Sequence, residues 1–256
     1  MKFKLKQEKM RDLFEKMIVQ NLFPMSIIKA TETEVISLQK EANATAIRFA
    51  RFKKEYFDEL KVEESEVIEL DIQRALAITK KVLPGTILTF ETKGDKVIIS
   101  GERVNINLSY KKPKEDEILE TMPFDSVKEG IPVIKGVALD TEIKIKLADL
   151  KDAVDYGASL STEYYTFKTK KGKLEIRVGD LHKYSDFVIF KPKIEVDEDK
   201  ETETIYTTGL TQISNTFIED ELTIKYASDA PALIYEKNNE CMLSILLPPQ
   251  PKSKED

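Results

Sequence analysis

Apolar and polar residues alternate at the N-terminus and then change to a helical spacing. Lys2–Lys6 alternates residue by residue, which is the period of a strand with one buried face. Over residues 7–21 the apolar side chains recur at steps of three and four, and Pro24 follows them. The pattern therefore predicts a strand and then an amphipathic helix with one face in the core.

A second helix and several strands are predicted in the rest of the first half. The helix covers residues 72–83, with Asp71 as its N-cap and Pro84-Gly85 at its end. Lys93-Gly94-Asp95 is a turn signal between two of the strands. The predicted strands are residues 26–30, 34–38, 45–52, 67–70, 86–91, 96–100 and 104–110.

The second half repeats the same order of elements. An alternating run at 142–146 precedes a predicted helix at 147–159, as Lys2–Lys6 precedes the first helix. A shorter helix is predicted at 208–217, and Lys171-Gly172 predicts a hairpin turn. The repeat indicates two similar β-rich halves with two helices each. The predicted strands of this half are residues 164–169, 173–178, 185–190, 221–226, 232–236 and 242–247.

A different kind of sequence separates the halves. Residues 111–136 contain three prolines and many charges, which favours a connector without a regular element. The acidic run 195–203 is interpreted as a solvated loop. We therefore expect an N-terminal domain at 1–112, a connecting loop at 113–136, a C-terminal domain at 137–249 and a flexible tail at 250–256.

Composition limits the chemistry that is available to the chain. Its 256 residues include one cysteine, Cys241, and one histidine, His182, which excludes a disulfide framework and disfavours an enzyme. His182 lies in LHKYSD and is interpreted as structural, and no Gly-rich phosphate loop precedes a helix. We expect no metal, no cofactor and no membrane span, and a reducing, cytoplasmic compartment.

Six stretches in order along the chain carry a family resemblance. Residues 26–39 resemble a first hairpin, 57–60 a phenylalanine-containing segment, 70–83 the helix that follows it, 125–132 (DSVKEGIP) a connecting loop, and 228–233 with 243–249 a C-terminal signature. With the duplication, they make the chain similar to DNA sliding clamps of the proliferating-cell-nuclear-antigen (PCNA) type, found in archaea and eukaryotes.

The resemblance implies an α+β DNA-clamp fold, with two similar domains of two helices each, sheets outside and helices lining a ring. Such a clamp is a scaffold that encircles duplex DNA and raises the processivity of a polymerase. The implied partners are double-stranded DNA, DNA polymerase, flap nuclease, ligase and an ATP-driven clamp loader. The implied location is the nucleoid in a prokaryote and the nucleus in a eukaryote.

A sliding ring needs diffuse phosphate contacts from the helices. The resemblance places seven cations there: Lys9, Arg11, Lys16, Arg74, Lys80, Lys81 and Lys151. The predicted helices also carry seven acidic residues: Glu8, Asp12, Glu15, Asp71, Asp149, Asp152 and Asp155. This neutral sum, in a chain of net charge −6, departs from the basic lining of the family and indicates DNA contact that is weak or uneven between the halves.

The resemblance also implies an apolar cleft that takes a short peptide ending in two aromatic residues. The matching positions are Ile47, Ile131, Pro231, Leu246, Pro248 and Pro249. Lys40 lies where the family commonly has a methionine, and Leu246 replaces a frequent tyrosine. An ordinary strand-core role for Ile47 and Leu246 is the open alternative.

Ring closure implies that edge strands pair between subunits, because an uncovered edge is a liability. The matching edges are residues 104–110 and 185–190, and the ring contains three identical chains or different paralogous ones. The implied interface residues are Val104, Ile106, Leu108, Tyr110, Phe187 and Ile189.

A second function stays open at this point. The chain is either a ring-forming clamp or a clamp-like scaffold of the checkpoint, viral or heterotrimer-subunit type, which recruits partners without itself forming a homotrimeric ring. The neutral charge of the helices favours the second reading.

Overall fold

The chain divides into two compact units in a computed structural model. Unit 1 contains Met1–Glu41, Arg48–Lys135 and Lys237–Leu243, and unit 2 contains Ala42–Ile47, Gly136–Glu236 and Ser244–Asp256. The structure describes residues 1–18, 25–40, 46–113, 124–128, 131–179, 186–194, 196–206, 210 and 216–250.

The first half of the chain contains two α-helices and eleven strands among its described residues. The helices are α1 (Gln7–Met17) and α2 (Ile72–Thr79), and a 3-10 turn covers Lys54–Tyr56. The strands are β1 (Lys2–Lys6), β2 (Met25–Ala30), β3 (Glu34–Lys40), β4 (Ile47–Lys53), β5 (Glu59–Lys61), β6 (Glu66–Asp71), β7 (Ile87–Lys93), β8 (Lys96–Gly101), β9 (Val104–Ser109), β10 (Phe124–Lys128) and β11 (Ile131–Ile134).

The second half contains one α-helix, α3 (Leu147–Ser159), and eight strands among its described residues. The strands are β12 (Thr141–Lys146), β13 (Tyr165–Lys170), β14 (Lys173–Val178), β15 (Val188–Phe190), β16 (Thr202–Tyr206), β17 (Glu221–Tyr226), β18 (Ala232–Lys237) and β19 (Cys241–Leu247).

The two units are built on the same strand pairings. In unit 1 β2 pairs antiparallel with β3 and β6, and in unit 2 β13 pairs in the same way with β14 and β16. Unit 1 also has a sheet of order β5-β1-β7-β8-β9, and the sheet of unit 2 that contains β13 has the order β15-β14-β13-β16. Strand β1 pairs antiparallel with β7, and β12 pairs antiparallel with β17 in the equivalent place. The residue that begins the following helix donates its N–H to a carbonyl 2.8 Å away in both units, Gln7 to Thr86 and Leu147 to Asp220. The predicted duplication is therefore present in the hydrogen bonding.

Aromatic side chains fill the core of unit 1 beneath its helices. Phe3 stacks on Phe90 with ring centres 4.5 Å apart, and Phe57 lies 5.1 Å from Phe3. Phe14 of α1 reaches the same cluster, 6.5 Å from Phe90. Burying each such side chain contributes roughly 1.5–3 kcal/mol, so this cluster fixes α1 on the sheet.

The core of unit 2 combines aromatic rings with buried hydroxyl groups. The Phe167 ring lies 5.6 Å from Tyr206 and 6.3 Å from Tyr226. The buried hydroxyls of Thr141 and Thr202 lie 3.2 Å apart, which satisfies polar groups that burial removes from water.

Several boundaries differ from the sequence predictions. Helix α2 ends at Thr79 rather than residue 83, because the chain tightens there: the Lys81 N–H bonds the Ile78 carbonyl, three residues back. Helix α1 ends at Met17 rather than near residue 21, and its C-cap Ile18 has an extended backbone. The predicted helix 208–217 lies mostly outside the described residues.

The prediction that residues 111–136 have no regular element is wrong. Strands β10 and β11 lie within this segment and pair antiparallel. Pro132 is tolerated because a two-stranded ribbon leaves one edge of each strand without ladder bonds. The solvated-loop interpretation of 195–203 is wrong at its end, where Thr202 and Glu203 belong to β16. No helix in the described ranges is long and apolar enough to cross a membrane.

Candidate functional site

Two predicted cations of α1 lie at the surface of unit 1, and both are ion-paired. The Lys9 ammonium lies 3.0 Å from Glu240 Oε2 and 4.6 Å from the centre of the Tyr56 ring. Arg11 is exposed, and its Nε lies 3.7 Å from Glu15 Oε1 one turn along the helix. A cation in such a surface pair can exchange its carboxylate for another anion, since each pair contributes only about 0–1 kcal/mol to stability.

Lys16, the third predicted cation of α1, is buried in unit 1. Its relative exposure is 7%, and its ammonium donates to Asp12 Oδ2 at 3.1 Å. Cys241 Sγ lies 3.6 Å from the same nitrogen. Lys16 therefore differs from the other predicted helix cations, because its side chain is enclosed by its own unit.

The three predicted cations of α2 are exposed on unit 1. Asp71 accepts the Arg74 N–H at 2.8 Å, which confirms the predicted N-cap of this helix. Lys80 Nζ lies 3.0 Å from Glu15 Oε1, so Glu15 joins α2 to α1. Among the described residues Arg74 and Lys81 have no ion pair. These two cations are the ones most accessible to a phosphate.

Helix α3 of unit 2 has a different charge. Lys151, its only cation, is half-buried. Asp152 and Asp155 are exposed, and Asp149 is half-buried in the first turn. The helix therefore carries three carboxylates against one ammonium.

A turn in unit 2 is held on β16 by side-chain hydrogen bonds. The Thr204 hydroxyl donates to the Ala227 carbonyl at 2.7 Å. The Tyr206 hydroxyl donates to the Ala230 carbonyl at 3.1 Å, and burial raises the pKa of Tyr206. Because Tyr206 stays neutral at ordinary pH, it remains a donor that fixes this turn.

The segment after β19 is bound to the same strand. The Gln250 N–H donates to the Ile205 carbonyl at 2.8 Å. Pro248 and Pro249 lie just before this bond and are half-buried, as is Pro231, which follows the turn. Strand β16 thus brings three predicted cleft residues into one region of unit 2, which we call the β16 surface.

The other predicted cleft residues differ in burial. Leu246 and Ile47 are buried strand residues, whereas Ile131 is half-buried on β11 of unit 1. Ile131 lies opposite Lys128 in the β10–β11 pair. The side chain of Lys40 lies outside the described residues.

Strand β9 is the edge of the unit 1 sheet, and its apolar residues face inward. Ile106 and Leu108 are buried, while Val104 and Tyr110 are half-buried. The Tyr110 hydroxyl donates to the Gly94 carbonyl at 2.9 Å. The backbone of this edge is the part of β9 that is available to another strand.

Strand β15 is an edge of the unit 2 sheet and exposes apolar side chains. Phe187, just before the strand, is 55% exposed, and Ile189 is 41% exposed. Ile189 lies opposite Arg177 of β14, on the outer face of the sheet. The Phe190 ring faces the other way and lies 6.1 Å from Tyr156 of α3.

A charged group lies beside this edge. Glu175 Oε1 lies 2.8 Å from Lys191 Nζ, and Arg177 lies 3.6 Å from the other carboxylate oxygen. The Lys191 hydrogen bond, with Arg177, lowers the pKa of Glu175. The carboxylate therefore stays ionised at neutral pH and keeps the two cations in place at the edge.

Sequence reasoning missed the groups that organise these surfaces. Glu15 pairs with cations of both α1 and α2, but its partner Lys80 is remote in sequence. Thr204 and Tyr206 lie in β16, where every second residue is buried, and its content of threonine, isoleucine and tyrosine was the signal that could have identified the strand. His182 lies outside the described residues. No group of three or more potential metal ligands occurs in the part of the chain that the structure describes.

Comparisons with known proteins agree on the fold. No protein-family model and no curated protein sequence matches the chain. Solved structures match it over nearly its whole length. The A. fulgidus PCNA bound to the C-terminal region of FEN-1 has a TM-score of 0.78, 14% identity and coverage of 99% of each chain. Entamoeba histolytica PCNA has a TM-score of 0.76, 13% identity and coverage of 97% of this chain and 98% of that one.

A third match is the PCNA2-PCNA3 complex from Sulfolobus tokodaii, with a TM-score of 0.75, 15% identity and coverage of 98% of this chain and 99% of that one. The fold is therefore that of a DNA sliding clamp. It is the PCNA-type clamp fold, in a chain that has diverged far in sequence from these structures. The predicted fold class is confirmed, while the ring and the site residues stay predictions.

Proposed function

We propose that this chain is a subunit of a DNA sliding clamp that encircles duplex DNA and recruits replication and repair enzymes. The observation that carries the proposal is the exposed apolar edge at β15, where Phe187 and Ile189 lie at a strand that, among the described residues, pairs with β14 alone. An edge of this kind invites a partner strand, because uncovered apolar edges promote association. The sheet of unit 1 ends in the β9 edge, and head-to-tail pairing of β9 with β15 closes a ring where the rotation between subunits is a whole fraction of a turn.

The clamp is a scaffold and not an enzyme in this proposal. The β16 surface receives a peptide with aromatic anchors from polymerases, flap nucleases or ligases, and an ATP-driven loader opens the ring. The FEN-1 segment on A. fulgidus PCNA supports a flap-nuclease partner. The protein then acts at the nucleoid of a prokaryote or in the nucleus of a eukaryote.

The proposed ring consists either of identical chains or of different ones. Three identical chains suffice where β9 of one subunit accepts β15 of the next. The PCNA2-PCNA3 complex supports the alternative, in which the ring is assembled from different paralogous chains. A scaffold that recruits partners without enclosing DNA is the second candidate function, and the acidic α3 favours it.

Native mass and DNA topology test the proposal together. We expect light scattering on a sizing column to give three times the 29.3 kDa of the chain over a concentration series. After loading, we expect retention on nicked circular DNA that is lost when the same DNA is linearised. A trimer that is retained equally on both forms contradicts encirclement and favours the scaffold. A stable monomer, alone and with any paralogous chain, contradicts the ring.

A further inference from the structure

Helix α3 carries three acidic residues and a single basic one. Asp149, Asp152 and Asp155 are spaced three residues apart, which places them along one side of the helix. Among the described residues none of these three carboxylates is ion-paired. In α1, by contrast, Asp12 and Glu15 bind neighbouring cations.

Helix stability accounts for Asp149, which lies in the first turn and complements the helix dipole, but not for Asp152 and Asp155. Like charges three residues apart repel each other, and a carboxylate near a helix C-terminus opposes the helix dipole. The last turn of α3 contains no basic residue, and exposed Glu163 follows the helix. Asp152 and Asp155 are therefore exposed acids that the formation of α3 does not require.

The exposed face of α2 has the opposite character. Gln73, Arg74, Ala77, Lys80 and Lys81 are all exposed, and none is acidic. Ala77 is small, so a phosphate backbone can approach the cations on either side of it. Arg74 on α2 and Lys81 just after its end have no ion pair among the described residues, and they provide the phosphate contacts that α3 lacks.

We propose that α3 repels duplex DNA and that the chain contacts DNA phosphates through unit 1 alone. The inference rests on the proposed function, because it assumes that DNA meets the helices. Attraction at α2 and repulsion at α3 give a shallow, one-sided contact, since the summed potential decides how firmly the backbone is held. Unit 2 then lowers the affinity of the chain for DNA instead of raising it.

Neutralising the acids of α3 tests this directly. The double variant Asp152→Asn/Asp155→Asn is compared with the unaltered chain. Fluorescence anisotropy measures the binding of each to a short labelled duplex at low salt. Removal of two repulsive charges is expected to tighten binding by about threefold or more. The matched control is Glu198→Gln with Asp199→Asn, which changes the net charge equally at exposed positions of unit 2 outside α3. The control is expected to change binding much less.

The second part of the test replaces cations of the two helical regions by alanine. Lys151→Ala makes α3 more acidic and is expected to weaken binding by no more than about twofold without changing the slope of log affinity against log salt, whereas Arg74→Ala with Lys81→Ala weakens it more and lowers that slope by roughly two. An α3 double variant that binds no better than its control overturns the inference, as does a loss with Lys151→Ala that matches the loss at α2. In both of these results the unaltered chain still binds DNA, so the proposed function stands. Failure of the unaltered chain and of every variant to bind the duplex counts against the proposed function itself.

Discussion

Tyr56 connects α1 to the 3-10 turn of unit 1 through the carboxylate of Asp12. Its hydroxyl lies 2.7 Å from Asp12 Oδ2, and Lys16 donates to the same oxygen. The Tyr56 ring packs on Phe52 and Phe57 at 5.0 and 5.4 Å. The polar bond therefore lies at the boundary of an aromatic cluster, where burial strengthens its electrostatic part.

Replacing Tyr56 by phenylalanine removes this bond and keeps the ring. We expect Tyr56→Phe to lower the free energy of unfolding by about 1–2 kcal/mol, because Asp12 loses a donor in a partly buried place. Urea denaturation measures the change. The matched control is Tyr110→Phe, whose hydroxyl bonds a carbonyl at an exposed position and is expected to cost less than about 0.5 kcal/mol. Equal costs at the two positions contradict the argument.

The pH dependence of stability follows from the same group. Burial, and then Asp12, raises the pKa of Tyr56 above its ordinary value of 10.0. The unfolded chain thus loses this proton first as the pH rises, so the stabilisation is complete below pH 10 and is lost above it. We expect the unaltered protein to lose stability more steeply above pH 10 than Tyr56→Phe does, in urea titrations at stepped pH. Parallel losses contradict the assignment.

At the scale of the element, the bounds of α3 could be predicted from the sequence, whereas the end of α2 could not. The bounds of α3 agree with the prediction because its apolar spacing begins and ends with the helix. The end of α2 was predicted too late, since Leu83 fits the helical spacing although it is 67% exposed. The β10–β11 hairpin was missed because a proline such as Pro132 usually interrupts a strand. The strand pairing shows that Pro132 is accommodated here although it has no N–H to donate.

Identical substitutions in the two helices are expected to have opposite effects. Asp155→Asn removes an acid near the C-terminal end of α3 and should raise the free energy of unfolding by about 0.5 kcal/mol. Asp71→Asn removes the charge at the N-cap of α2 and should lower the free energy of unfolding by about 0.3 kcal/mol or less. The effect is small because an asparagine side chain still accepts the capping hydrogen bond. Thermal and urea denaturation of both variants measure the signs. A destabilised Asp155→Asn contradicts the view that α3 keeps its acids at a cost in stability.

At the scale of the whole molecule, the duplication could be predicted and the candidate surfaces only in part. The order of strands and helices along the chain and the starts of α1 and α3 follow from hydrophobic spacing, which is local. The burial of Lys16 and the sharing of Glu15 depend on contacts between residues far apart in sequence, which spacing does not encode. The same holds for the β16 surface, where the Ala230 turn and Gln250 meet on one strand.

Assembly through the β15 edge gives the last prediction. Ile189 faces away from the core of unit 2, so Ile189→Lys is expected to leave the unit folded while it places a charge in the proposed strand-to-strand contact. We expect the native mass to fall from three chains to one at micromolar concentration, with an unchanged circular dichroism spectrum. Ile218→Lys is the matched control, because Ile218 is 56% exposed in the same unit but lies outside the edge strand. A trimer that survives Ile189→Lys, or one that Ile218→Lys disrupts equally, shows that β15 is not the surface through which the subunits meet.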